Sequence, residues 1–529
     1  MMASATKREL VIHPFLFAVY AVVGIYSRNA AEIPIQWMPR PLVVLLILTT
    51  IVFFALEKTL RDIHYVGLVT TLSLFWFFFG HFSRVLQERS PFWNTATGTT
   101  IALLVWTVPM AFMGSQWTWQ RIHNPTFITT FLNVTSAVLV VVPTYQAGGY
   151  ALQTIFQEGI RESRADPGAV LSLQVPSAPP DIYLIIMDAY GRSDFLREVY
   201  GFDNSEFIAF LEQHGFYVAE QSTPNYPQTT LSLSSLLNME YLADSTQSLK
   251  GSNNRGPLND YLQHSEVRYA LQAVGYRFVA LPSVTSFTQI RDADVYYNMT
   301  IGDVNEFEGV LLSSTVLNLG IQAWDLDVPV PSYDLHRRYI LFSLDTLKRV
   351  PELVGPKIVF THIVGPHPPF VLDADGNPIR PAWPYNLRDA TFLGTPDEYV
   401  SGYVDEATYL NRRLEEVIEV ILNKSERPPI IILQGDHGPG NYFDQDRLDD
   451  SCLRERYSIL NAYYFPDQNY SALYPSISPV NSFRVVFNQY YGTDLPLLED
   501  RSYYASWQAP FDFTEVTDKI QLACDVAAE

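Results

Sequence analysis

Ile182–Asp188, IYLIIMD, is an apolar run that ends on a carboxylate, and Ile430–Gly438, IIILQGDHG, ends in the same way on an aspartate and a histidine. A short run rich in Ile, Leu and Tyr, without polar alternation, is the pattern of a strand buried on both faces. Such strands belong to parallel sheets covered by helices on each side, and ligands gather beyond the carboxyl edge of those sheets. Asp188, Asp436 and His437 are therefore expected together at one sheet edge.

Outward from these strands, apolar runs at Tyr276–Leu281 and Lys357–Val364 alternate with helical patterns at Ser205–His214, Val267–Val274, Leu335–Val350 and Tyr399–Leu422. Gly215 and Gly275 stand just past two of the helices, where a helix commonly stops. The alternation predicts a mostly parallel sheet with helices on both faces, spanning 181–529 as one enlarged α/β domain. A polar, Pro-containing stretch at 147–180 is expected to be a linker.

The first 146 residues have a different character. Apolar runs at Leu10–Tyr26, Pro41–Leu56, Tyr65–Phe82, Thr100–Met113 and Phe127–Pro143 are separated by short polar loops. About 20 helical residues cross the roughly 30 Å hydrocarbon core of a bilayer. Five such runs in succession predict a helical membrane anchor of five transmembrane helices. No small-residue cleavage site follows the first run, so a removed signal peptide is not expected.

Charge divides the chain in the same place. The first 150 residues hold nine Lys/Arg against five Asp/Glu, while the whole chain holds 35 against 56, so the remainder carries 26 against 51, a net of −25. That acidity argues against a nucleic-acid surface. With the amino terminus inside, the inner loops hold Lys58, Arg61 and Arg121 besides Lys7 and Arg8, and the outer loops hold Arg28, Arg40, Arg84 and Arg89. This bias is slight. An odd number of spans places the 181–529 domain outside the cytoplasm, and Trp93, Trp117 and Trp119 suit the membrane interface. The two cysteines, Cys452 and Cys524, have no framework spacing, and their pairing stays open.

Two carboxylates and an imidazole suit Zn²⁺ or Mn²⁺, with Mg²⁺ or Ca²⁺ less well matched to nitrogen. A third segment, Gln228–Asn238 (QTTLSLSSLLN), is rich in hydroxyls and offers a nucleophile.

Asp188, the Thr229-Thr230-Leu231-Ser232 segment, His362 and His367 within Thr361–Phe370 (THIVGPHPPF), and Asp436-His437-Gly438 together resemble the sulfatase branch of the alkaline phosphatase superfamily. The likeness is greatest to membrane-anchored sulfatase-like proteins, including phosphoethanolamine transferases and lipoteichoic acid synthases. It covers about 181–466, with the anchor matching in architecture only. The resemblance implies one divalent metal held by Asp188, Thr229, Asp436 and His437. It also implies a threonine nucleophile at a helix start, where backbone N–H groups favour anionic oxygens. Thr229 is favoured, because Ser232 then stands three residues on; Thr230 is the alternative. The Cys/Ser-x-Pro-x-Arg motif of true sulfatases is missing, and Cys452–Arg456 (CLRER) lacks its proline and is read as unrelated.

The expected chemistry is phosphoryl transfer from a phospholipid or phosphodiester through a phosphothreonine. His367 would bind phosphoryl oxygens or protonate the leaving group, and His362 would do the same or be a satisfied strand-end histidine. Arg192 would neutralise phosphate charge or be an exposed turn residue. A phosphodiester or sulfate ester hydrolase would share every ligand; a non-catalytic membrane scaffold is the remaining reading. The expected partners are the lipid bilayer and the ester substrate.

Overall fold

The computed structural model describes residues 10–521 apart from 31–32, 165–170, 300–303, 325, 327 and 388–391, and gives backbone alone for 151 and 153–164. Cys524 lies outside the described residues. The chain divides into two compact units: Met1–Phe156 with Ile301–Pro331 and Ala382–Pro384, and the remainder.

The first unit contains α1 (His13–Asn29), α2 (Pro39–Leu60), α3 (Ile63–Phe77), α4 (Phe79–Gln87), α5 (Ala96–Met113) and α6, which begins at Pro125 and continues to Arg164. The expected boundary at 146 thus falls inside a continuous helix. Among the described residues, four segments, Ile35–Leu60, Ile63–Gln87, Ala96–Met113 and Pro125–Tyr150, are long and apolar enough to cross a membrane. Five were expected, and the difference is α1, which has 17 residues. Its start is fixed by α6: Asn133 Oδ1 accepts from the backbone N–H groups of Ile12 (3.1 Å) and His13 (2.9 Å), and Asn133 Nδ2 donates to Leu10 O (2.7 Å). These orphan groups at a helix start need partners where water is excluded. One amide side chain supplies them.

Exposed Val43, Val44, Ile47, Leu48 and Ile51 on α2, with Val134, Val138, Val141 and Val142 on α6, form apolar outer faces. Faces of this size belong against lipid, and the first unit is that of an integral membrane protein. The same unit contains the helix Glu306–Ser313, whose sequence is inserted between stretches of the second unit. Phe307 packs edge-on to Tyr26, Glu308 pairs with Arg40, and Val316 N donates to Phe77 O (2.7 Å).

The second unit is built on a seven-stranded sheet. Its strands are β1 (Ile182–Met187), β2 (Tyr217–Val218), β3 (Arg277–Ala280), β4 (Val295–Tyr296), β5 (Lys357–Ile363), β6 (Ile430–Gly435) and β7 (Asn461–Tyr464), in the order β2-β7-β6-β1-β5-β3-β4. Only β7 runs against its neighbours. β1 is central and pairs in parallel with β5 and β6 over its whole length. Alternate residues face opposite ways. Tyr183, Ile185 and Met187 join one core with the helix α8 (Pro396–Lys424), while Ile182, Leu184 and Ile186 join another with α7 (Thr229–Asn238). This explains why IYLIIM has no polar position: both faces are covered.

Candidate functional site

The parallel register brings Asp188 and Asp436 to the same edge, since Met187 pairs with Gly435. Asp436 Oδ1 accepts from Ala189 N (3.2 Å) and from His437 N (3.0 Å), which locks the two strand ends together. The chain turns sharply after Asp188, with Ala189 at φ 62°, a left-handed conformation unusual for a residue with a Cβ. The Tyr403 hydroxyl on α8 secures this turn, accepting from Gly191 N (2.9 Å) and donating to Ala189 O (3.0 Å). After His437 only glycine fits: a Cβ at Gly438 would lie 2.0 Å from Glu455 O.

His437 Nδ1 lies 3.0 Å from Gly438 O, so that nitrogen carries the hydrogen. The opposite nitrogen, Nε2, is 3.2 Å from Arg456 Nη2, and a guanidinium can only donate, so Nε2 is unprotonated and accepts from that guanidinium within the site. There it meets Thr229 Oγ1 at 3.2 Å, Asp188 Oδ1 at 3.4 Å and Asp436 Oδ2 at 3.4 Å. Thr229 is the first residue of α7 and is half-buried. The Thr230 hydroxyl instead lies 3.4 Å from Arg255 Nη1.

His362, on β5 opposite Ile186, places Nε2 3.3 Å from Asp188 Oδ2. One ligand atom from each of Asp188, His362 and Asp436 falls within 4.8 Å of the others. Asp188, Asp436 and His362 are 2 %, 0 % and 1 % exposed, yet Asp188 Oδ1, Asp436 Oδ2 and His362 Nε2 have no hydrogen-bond partner. Buried carboxylate oxygens left in this way are costly unless a cation meets them. These residues fit a divalent metal ion.

His367 is buried, with Nδ1 2.5 Å from Pro368 O and its ring 6.4 Å from that of His437. Arg192 is not the exposed turn residue expected as one alternative. It is buried, and its guanidinium forks onto Asp194 (2.7 and 2.9 Å) and donates to Ser222 O (2.8 Å), which commits it away from the cluster. Arg456 is the arginine that contacts the cluster, through His437. It is fully buried, donating from Nε to Pro227 O (2.7 Å) and from Nη1 to Gly438 O (3.2 Å) besides its contact with His437. The segment Cys452–Arg456, read from sequence as unrelated, thus reaches the site through its last residue.

The loop carrying His367 is braced by Glu406 on α8, whose Oε1 accepts from Val371 N (3.0 Å) while Oε2 has no partner. Burial pushes its carboxyl up to about 8, against a partial pull downward from the backbone N–H groups of Val371 and Leu372. A raised acid keeps its proton in the folded state while the unfolded chain releases it near the ordinary value. The stabilisation is therefore complete below that value and is lost as pH rises towards about 8. Glu406→Gln is expected to flatten this slope, with an advantage over wild type that grows to a few kcal/mol by pH 9. Thermal melts from pH 5 to 9 check this; parallel profiles for the two proteins would show that Glu406 is ionised when folded.

No protein-family model matches the chain and no curated protein sequence does. Among solved structures, the C-terminal periplasmic domain of EcEptC from Escherichia coli in complex with Zn is similar at 14% identity and a TM-score of 0.43, covering 67% of this chain and 98% of that one. The integral membrane lipooligosaccharide phosphoethanolamine transferase A (EptA) from Neisseria meningitidis is similar at 12% identity and a TM-score of 0.37, covering 91% of this chain and 94% of that one. BT1596, a 2-O GAG sulfatase, is similar at 11% identity and a TM-score of 0.39, covering 60% of this chain and 72% of that one.

Proposed function

We propose that this chain is a membrane-anchored, metal-dependent phosphoryl transferase of the sulfatase-like kind, acting on a phospholipid or other phosphodiester. The observation that carries this reading is Thr229 Oγ1 at the start of α7, 3.2 Å from the inward-facing Nε2 of His437 and beside two buried carboxylates.

Asp188, Asp436, His437 and Thr229 would hold the ion, with Zn²⁺ or Mn²⁺ favoured by the imidazole. When bound, such an ion supplies a lowered pKa at a coordinated hydroxyl and offsets phosphoryl charge. Thr229 Oγ attacks phosphorus, forming a phosphothreonine as the bond to the departing alcohol breaks. His367 delivers the proton to that alcohol, and the buried charge of Arg456 against His437 offsets negative charge in the site. The N–H groups at the start of α7, which carries Thr229 as its first residue, would favour anionic oxygens there. An acceptor hydroxyl then displaces Thr229 and regenerates it. Water in that place would give the hydrolase outcome with the same residues.

Mass spectrometry of the purified protein tests the reading: a phosphoryl adduct is expected on Thr229, enriched when the acceptor is withheld. An adduct on another residue would overturn it.

An extracytoplasmic 181–529 domain is the side of the membrane that an inside amino terminus and a crossing α1 together support. Val11 and His13 contact Gly67, His13 Nδ1 lies 2.7 Å from Thr71 Oγ1, and Phe17 packs on Phe75, so α1 runs parallel to α3. A helix parallel to one that crosses the membrane is placed to cross with it, which supports an odd number of passages despite the shortness of α1. A reporter active only outside the cytoplasm is therefore expected to work when fused after Pro180. Activity of a cytoplasm-only reporter there would reverse the orientation.

A further inference from the structure

His362 has a more specific place than an acid–base reserve. Its Nδ1 lies 3.1 Å from Thr288 Oγ1 and 3.5 Å from Ser283 Oγ. Thr288 Oγ1 in turn donates to Thr285 O at 3.2 Å, a group that only accepts. Thr288 Oγ1 also lies 2.7 Å from Thr285 Oγ1, so a cluster of hydroxyls holds Nδ1 on one side of the ring while Nε2 points at the carboxylates. That Nε2 is buried, makes no hydrogen bond, and sits 3.3 Å from Asp188 Oδ2. A histidine with one nitrogen tied to a neutral oxygen and the other aimed at carboxylates is the usual arrangement of a metal ligand.

We propose that His362 is a resident ligand of the metal site, and that Thr288, assisted by Ser283, is the positioning residue that fixes it in the ligating tautomer. This rests on the metal-site reading of Asp188 and Asp436. It withdraws His362 from proton transfer and leaves His367 as the sole histidine for the leaving group. It also gives the site two imidazole nitrogens, which favours Zn²⁺, Co²⁺ or Mn²⁺ over Mg²⁺ and Ca²⁺.

The test titrates the metal-stripped, detergent-solubilised full chain with Co²⁺ and follows its visible absorption bands, which report donor number and type. His362→Ala is expected to bind Co²⁺ at least tenfold more weakly, with altered bands. Thr288→Val is expected to weaken binding by about ten- to a hundredfold with His362 in place, and Thr288→Ser to restore it. If His362→Ala does not fold, the two Thr288 variants decide the matter alone. Wild-type affinity and bands in both His362→Ala and Thr288→Val, with binding lost in Asp436→Ala, would overturn the assignment of His362 while leaving the metal reading intact. Unchanged binding in Asp436→Ala as well would remove that reading.

Discussion

Thr229→Ala is expected to lower turnover of phosphodiester or phospholipid substrates by roughly 10³-fold or more, because it deletes the attacking oxygen. The fold should tolerate the change, since Thr229 is half-buried and its hydroxyl meets only the His437 ring among the described contacts. Thr229→Ser keeps a hydroxyl on the same carbon and should retain measurable activity. Thr230→Ala should retain most of it, because that hydroxyl is turned to Arg255. Steady-state kinetics on the four proteins separate these outcomes. Full activity in Thr229→Ala would exclude the proposed nucleophile, and efficient cleavage of aryl sulfates by the wild-type protein, with phosphodiesters ignored, would exclude phosphoryl transfer. A threonine cannot be oxidised to the formylglycine that sulfate ester cleavage uses.

Asp436 carries the second large effect. Its Oδ1 secures the backbone at Ala189 and His437, and its Oδ2 points into the cluster without a partner. Asp436→Asn preserves the first role and weakens the second; Asp436→Ala removes both. Both variants are expected to retain a tenth or less of the divalent metal bound by wild type after dialysis, measured by elemental analysis, and activity should fall in proportion. Asp188→Ala and His437→Ala should behave alike, with all variants still extracted from membranes. Unchanged metal content throughout the series would mean that these residues do not form one site.

How far the sequence could be read depended on distance along the chain. β1 and β6 were legible because their apolar runs must be buried on both faces, and parallel pairing of Met187 with Gly435 then brings Asp188 to Asp436. Thr229 was legible only through its resemblance to a family motif; nothing in TTLSLSS alone distinguishes Thr229 from Thr230. Arg456 was not legible. It arrives at His437 by a return loop of eighteen residues, and an Arg preceding an apolar run carries no signal of where it points. The fate of Arg192 was equally hidden, since its partners Asp194 and Ser222 are set by packing rather than by spacing. The partner of the N–H groups at the start of α1, Asn133, lies more than a hundred residues away and was not legible. The 301–331 insertion reads as ordinary α/β sequence, and only its contacts with Tyr26, Arg40 and Phe77 assign it to the first unit.

The Tyr403 hydroxyl gives the site a mechanical property. Asp188 hangs from a turn that the left-handed Ala189 would otherwise release, and that turn is tethered to a rod: α8 has 29 residues and extends for about 43 Å. A push at either end of the rod reaches the carboxylate through two hydrogen bonds at one oxygen atom, without passing along the sheet. Tyr403→Phe cuts that tether while leaving every proposed ligand in place, so the stiffness of the site becomes a quantity separable from its chemistry.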